Sequence, residues 1–84
     1  MTRRTVFPGF DSLSEQRRDI IAALVRERQR VGLSQTEVAA RMSTSQSAVA
    51  RMEAGACDVR VSTLHRYAAA VGHDLRWRLA RSDR

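Results

Sequence analysis

Apolar residues recur at helical spacing in the first third of the chain. They repeat every three to four positions, which places them on one face of an α-helix. These residues are Leu13, Ile20, Ile21, Leu24, Val25 and Val31. Ser12 with Glu15 forms the S-x-x-E capping pattern at the start of this stretch, and Gly32 stands where a helix ends. The pattern predicts a first helix from Ser12 to about Val31.

Three shorter helices are predicted in the remainder of the chain. A second capping pattern, Ser34 with Glu37, starts a helix through Met42, and Ser45 starts another that ends before Gly55. These two helices are joined by a short polar turn, which is the spacing of a helix-turn-helix. Apolar residues then define a fourth helix that ends at Gly72; they are Val61, Leu64, Ala68 and Val71.

The C-terminal tail alternates apolar and basic residues. Leu75, Trp77 and Leu79 are separated by Arg76 and Arg78, a period of two that favours a β-strand. A lone strand needs a partner, so we expect it to pair with a second copy or with another chain. A fifth short helix is the alternative, because Leu75 and Leu79 are also four residues apart.

Composition narrows the class of protein. The chain has 84 residues, which is enough for one domain. Its net charge is +6 and its pI is near 11.4, values typical of proteins that bind phosphate groups. All 15 basic residues are arginine, a bias that a GC-rich genome also produces. A single cysteine, Cys57, and the lack of an apolar leader or span favour a cytoplasmic protein that does not enter a membrane.

The third predicted helix carries two different faces. One is a packing face that includes Val49 and Met52, and the other carries short polar side chains, alanines and one arginine. Glutamine can bond adenine, and arginine can bond guanine, in the major groove of DNA. An ordinary solvated face is the alternative. The expected DNA-binding residues are Gln35, Ser45, Gln46, Ser47, Ala50 and Arg51, with Gln35 in the first turn of the second helix.

Two charges interrupt predicted packing surfaces. Arg28 lies on the apolar stripe of the first helix, and Glu53 lies at the edge of the packing face of the third. Each would be costly alone, so we expect a bidentate ion pair that fixes the orientation of the third helix. The alternative is that both side chains extend to water.

The stretches VGLSQTEVA at residues 31–39 and SQSAVARMEAG at residues 45–55 resemble the phage repressor and Cro family of helix-turn-helix proteins. The resemblance covers about residues 20–72. It implies that Gln46, Ser47 and Arg51 face base edges and that Gln35 contacts the backbone or a base at the edge of the half-site. It also implies the ion pair between the first and third helices. Ser43 departs from the family, which usually has glycine in this turn.

Residues 58–67 followed by an alternating strand are also similar to antitoxins of bacterial toxin–antitoxin pairs. The sequence therefore predicts a mainly α fold, a four-helix repressor-like domain with a C-terminal β-strand that pairs across a dimer. Residues 1–11 form an arm, 12–73 the DNA-binding domain, and 74–84 the strand and tail. We expect a dimeric transcriptional repressor of an inverted-repeat operator. The alternative is an antitoxin that neutralises a toxin protein and regulates its own operon.

No enzymatic chemistry is expected. His65 and His73 lie eight residues apart without further ligands, and no phosphate-binding loop or nucleophile–base pair occurs at a recognisable spacing. We expect no cofactor and no metal. Double-stranded DNA, a second copy and a toxin protein are the partners that the sequence suggests.

Overall fold

The part of the chain that the structure describes forms four helices. The computed structural model describes residues 10–76 and residue 79, with side chains from residue 15 onward. The helices are α1 (Phe10–Arg30), α2 (Gln35–Arg41), α3 (Gln46–Glu53) and α4 (Val61–Ala70). This confirms the mainly α, four-helix prediction. Residues 1–9 of the predicted N-terminal arm lie outside the described residues.

Helix α1 begins earlier than predicted. Its first residue is Phe10, so Ser12 lies within the helix and is not its N-cap, and the predicted arm loses its last two residues to the helix. A capping residue contributes only about 1 kcal/mol, so a flanking segment that tolerates helical dihedral angles can extend a helix past it.

The two helices of the helix-turn-helix begin as the sequence predicts. The Ser34 hydroxyl accepts from the Glu37 backbone N–H at 3.0 Å, and the Glu37 carboxylate accepts from the Ser34 N–H at 2.7 Å. Ser45 caps α3 by accepting from the Ala48 N–H at 3.1 Å. These bonds satisfy backbone donors that a helix start leaves unpaired, and they fix where α2 and α3 begin.

The turn between α2 and α3 is left-handed at Ser43. Its φ of +57° lies in the region that glycine adopts without cost, and the Thr44 N–H donates to the Ala39 carbonyl at 2.9 Å to close the turn. The serine therefore carries local strain that a glycine would not.

The core lies where the four helices meet. Val38, Val49, Leu64 and Tyr67 are the largest fully buried side chains, and Met52 packs with them. Two members of the predicted stripes are exposed, because Val31 and Val61 lie at helix ends where no other helix covers them.

The beginning of the C-terminal tail packs on the core. Leu75 is partly buried against the core and Leu79 is fully exposed. Residues 73–76 and 79, the part of the tail that the structure describes, form no strand. Trp77 lies outside the described residues, so strand pairing stays a prediction for the assembled protein. No helix within the described part of the chain is long and apolar enough to cross a membrane.

Candidate nucleic-acid interface

Helix α3 presents a polar face to solvent. Gln46, Ser47 and Arg51 are exposed and Ala50 is half-buried, while Val49 and Met52 on the opposite side lie in the core. The division follows the helical period, since buried residues recur three residues apart. The exposed surface of α3, hereafter the α3 face, is defined by residues 46, 47, 50 and 51.

Arg51 is available for a ligand. Its side chain makes no hydrogen bond or ion pair with any residue that the structure describes. A guanidinium group offers five N–H donors in a planar fork that matches guanine edges and phosphate oxygens. Arg51 lies on an exposed helix, one turn after Ser47. Its side chain can therefore enter a groove of DNA without breaking a bond to another described residue.

Ser45 has a structural contact. Its hydroxyl caps α3 and also lies 3.2 Å from the Ser47 hydroxyl. The cap orients the first turn of α3.

Residues from all four helices meet at the Glu53 carboxylate. Arg28 of α1 donates from Nε to Oε2 at 2.7 Å and from Nη2 to Oε1 at 3.0 Å. Gln35 of α2 donates from Nε2 to Oε1 at 2.9 Å, and the Tyr67 hydroxyl of α4 donates to Oε2. Arg28 also donates from Nη1 to the Leu33 carbonyl at 2.9 Å. Arg28 and Glu53, which the sequence predicts to form an ion pair, are thus part of a larger cluster.

This arrangement keeps Glu53 ionised. Its side chain is 8% exposed, and burial acts to raise the pKa, but the bonds from Arg28, Tyr67 and Gln35 outweigh it and the pKa is lowered. Burial and the neighbouring carboxylate raise the pKa of Tyr67, so its hydroxyl keeps the proton that it donates. All four acceptor positions of the carboxylate are then filled.

The cluster extends to the α3 face through Gln35. The Gln35 Oε1 accepts from Gln46 Nε2 at 2.7 Å, while Gln35 Nε2 is held by Glu53. Gln35 therefore links the last residue of α3 to its first. The structure brings Gln35, Gln46, Arg28 and Glu53 together in one hydrogen-bonded chain.

Two further arginines border the α3 face. A surface cavity of about 290 Å³ between α3 and α4 is lined by Arg51, Arg60 and Arg66, with Thr44 and Thr63 between them. None of the three arginines forms an ion pair with another described residue. No spacing in the sequence indicates Arg60 and Arg66, because their approach to α3 depends on how the loop after Gly55 turns.

Tyr67 is the other functional residue that the sequence analysis did not assign. It is a tyrosine on an otherwise apolar stripe, and a buried hydroxyl usually has a partner. That rule could have marked it as a member of a polar cluster, although not as a partner of Glu53.

The remaining candidate groups do not assemble into a reactive centre. Cys57 is exposed, and His73 Nε2 lies 2.7 Å from a Glu27 carboxylate oxygen. Within residues 15–76 and 79, no group of three or more histidine, cysteine, aspartate or glutamate side chains could hold a metal ion.

The fold and the outward polar face of its third helix define a helix-turn-helix domain. The family model described as a helix-turn-helix domain matches residues 21–79, more than half of the chain. The chain belongs to this family, the domain type of DNA-binding regulators, and the resemblance found in the sequence is confirmed.

The chain is also similar to Antitoxin HigA1 of Mycobacterium tuberculosis. The identity is 40% over 70 residues with the protein of strain CDC 1551 and with that of strain H37Rv. The match covers 83% of this chain and 47% of each relative, so the chain spans about half the length of the curated relatives it matches. No solved structure matches the chain at comparable significance.

Proposed function

We propose that the protein is a sequence-specific DNA-binding regulator that acts in the cytoplasm as a dimeric repressor of an inverted-repeat operator. The observation that carries this proposal is the α3 face. Its arginine has no partner within the described chain, and its polar side chains project from a helix anchored to the three others through Glu53.

The residues of the α3 face have distinct roles in this proposal. Gln46, Ser47 and Arg51 contact base edges, and Ala50 allows the helix to approach the groove closely. Ser45 holds the first turn of α3 in position. Gln35, at the start of α2, orients Gln46 and lies near the phosphate backbone, where the positive end of a helix favours an anion.

The arginines around the cavity supply phosphate contacts. Arg60 and Arg66 lie on the same side of the domain as Arg51 and add positive charge beside the groove. Such contacts position a protein on the duplex without reading its sequence. Each phosphate that the protein neutralises makes binding more sensitive to salt. The slope of the logarithm of the binding constant against the logarithm of the salt concentration changes by about −0.9 per contact.

Dimerisation would set the spacing of two recognition helices. Leu79 is fully exposed, and Leu75 is partly buried against the core, so the described part of the tail offers apolar side chains to a second copy. We expect Leu75, Trp77 and Leu79 to contact a second copy. Half-sites about 34–36 Å apart would follow, one helical turn of DNA.

An arginine-to-alanine comparison tests the α3 face. A duplex is first selected from random sequence by the wild-type protein, and affinities are measured by fluorescence anisotropy at several salt concentrations. Arg51→Ala is expected to cost about 1–3 kcal/mol and to relax preference at one base pair of each half-site. Arg26→Ala is the matched control, because Arg26 is exposed on α1 and its loss removes the same charge.

The outcome separates three cases. A specific loss for Arg51→Ala supports base contact, and an equal loss on every duplex makes Arg51 a phosphate contact. Equal affinities for the Arg51 and Arg26 variants contradict the proposed interface.

A second function is favoured by the similarity to Antitoxin HigA1. The protein would then bind and neutralise a toxin protein and also repress its own operon. Co-expression with the product of the adjacent open reading frame tests this: relief of growth arrest and co-elution of the two purified proteins support it. If the neighbouring product is harmless alone and elutes separately, the free-standing regulator is favoured.

A further inference from the structure

We infer that the cavity between α3 and α4 binds a small phosphate monoester that carries a flat apolar group, and that this ligand releases the protein from DNA. The release rests on the proposed function, because Arg51 would serve both the duplex and the ligand. Binding of the ligand itself requires no DNA.

The cavity gathers positive charge that the described chain leaves unpaired. Arg51, Arg60 and Arg66 line it, and none of their guanidinium groups bonds another described residue. Asp58 also lines it, but its carboxylate pairs with Arg17 at 3.1 Å. A phosphate monoester carries a charge of about −1.5 to −2 at pH 7, so these arginines attract it more strongly than a singly charged anion.

Two hydroxyl groups add donors of a different shape. Thr44 and Thr63 line the same cavity, and their hydroxyl groups form no hydrogen bond with another described residue. A hydroxyl can donate to a phosphate oxygen, and a guanidinium group offers two parallel donors to a pair of such oxygens. The arginines and threonines therefore define the end of the ligand that carries the phosphate.

The base of the cavity is apolar. Met42 and Met52 line it and belong to the buried core, and Val59 is partly buried against the same core. Thioether groups make favourable contacts with aromatic rings, and a guanidinium group stacks on a flat ring. The backbone of DNA has no flat apolar group between its phosphates, so a duplex would leave this base uncovered.

The size of the cavity limits the ligand. Its volume of about 290 Å³ is close to the lower end, about 300 Å³, of the range found for small-molecule sites. A phosphate joined to one small aromatic group is therefore the class of ligand that fits both the charge and the apolar base.

A ligand in this cavity would compete with DNA. Arg51 belongs to the α3 face and also lines the cavity, and Arg60 and Arg66 are the proposed phosphate contacts. Donors that hold the ligand are not available to the duplex, and the ligand adds negative charge beside the groove. Because the ligand then binds the free protein only, mass action lowers the apparent affinity for DNA.

Phenyl phosphate is the test compound, and inorganic phosphate and phenol represent its two parts. Calorimetry with the full chain at constant ionic strength measures the three affinities. Phenyl phosphate is expected to bind at least about tenfold more tightly than inorganic phosphate, because only the ester covers the apolar base. Equal affinities of the two phosphates would show an adventitious ion only and overturn the inference, as would an absence of binding.

The single cysteine of the chain reports where the ligand binds. Cys57 is exposed and lines the same cavity, so a bound ligand should shield it from iodoacetamide. At a ligand concentration ten times Kd, alkylation is expected to slow about tenfold, since only ligand-free molecules react. Binding that leaves the alkylation rate unchanged places the ligand elsewhere and overturns the proposed site.

Two substitutions in the cavity and one outside it complete the binding test. Arg66→Gln is expected to weaken phenyl phosphate binding about tenfold, and Thr63→Val about threefold, because each removes donors to the phosphate. Arg26→Gln on α1 removes the same charge outside the cavity and is expected to leave the affinity unchanged. A loss as large for Arg26→Gln as for Arg66→Gln overturns the site. Shielding of Cys57 needs no substitution, so it decides the question if a variant fails to fold.

Competition is measured by fluorescence anisotropy with the selected duplex. Phenyl phosphate at ten times its Kd is expected to raise the apparent Kd for the duplex about tenfold, and inorganic sulfate at the same ionic strength to raise it less. Unchanged duplex affinity while Cys57 is shielded overturns the competition. If the wild-type protein selects no duplex, the proposed function is wrong, whereas calorimetry and alkylation still decide whether the cavity binds a phosphate monoester.

Discussion

Removing Arg28 tests whether the hydrogen-bonded cluster around Glu53 holds α3 in place. Arg28→Met keeps most of the volume of the side chain and deletes the cation that makes two of the four bonds to Glu53. In the wild-type protein the Glu53 side chain is 8% exposed, so little water can reach the carboxylate to replace the lost donors. The Leu33 carbonyl also loses its side-chain donor.

The expected cost follows from this burial. Breaking a buried ion pair from one side leaves an uncompensated charge and costs about 3–5 kcal/mol. An 84-residue domain has about 4–13 kcal/mol of stability in total. Arg28→Met is therefore expected to lower the thermal midpoint by more than about 10 °C, and to leave the domain marginally folded at 37 °C.

The pH dependence identifies the charge as the cause. In the wild-type protein the pKa of Glu53 is lowered from its ordinary value of 4.5, so its stabilisation is present above that value and is lost as pH falls through the folded pKa. Without Arg28, burial is opposed only by Tyr67 and Gln35, and the folded pKa is higher than in the wild type. The stability difference between the two proteins should therefore be largest near pH 7 and shrink toward pH 4.

Urea denaturation followed by circular dichroism measures these differences. The double variant Arg28→Met with Glu53→Gln serves as the control, because a neutral amide removes the charge and its oxygen can still accept from Tyr67. It is expected to recover a large part of the loss. A cost for Arg28→Met below about 1 kcal/mol, or one that is independent of pH, would refute the reasoning.

Two further substitutions test single contacts by the midpoint of urea unfolding. Tyr67→Phe removes the buried hydroxyl that donates to Glu53, and we expect a loss of about 1.5–3 kcal/mol; an unchanged midpoint would show that the bond adds nothing. Ser43→Gly relieves a left-handed residue at φ +57° and is expected to stabilise the domain by about 0.5–1 kcal/mol after the greater freedom of glycine in the unfolded chain is counted. A lower midpoint for this variant would contradict the assigned strain.

Local signals predicted the helices well. The Ser34 and Ser45 caps act on neighbouring backbone atoms, so a few adjacent letters determine them. The same local reasoning was wrong at Ser12, because the helix already begins at Phe10 and Ser12 is not its N-cap.

The cluster around Glu53 was only partly predictable. Two opposite charges at packing positions suggested that Arg28 and Glu53 meet, since neither could be buried alone. That Gln35 and Tyr67 reach the same carboxylate depends on how α2 and α4 cross α3, and no spacing in the sequence encodes a crossing angle. The same holds for Arg60 and Arg66 beside Arg51.

The central claim is that the α3 face enters a DNA duplex. Backbone amide chemical shifts of the ¹⁵N-labelled protein, recorded during titration with its selected duplex, test it most directly. The account predicts that the largest changes fall on residues 45–51, with smaller ones at residue 35 and residues 60–66. Changes confined to the outer surface of α1 or to the tail, with α3 unaffected, would contradict it.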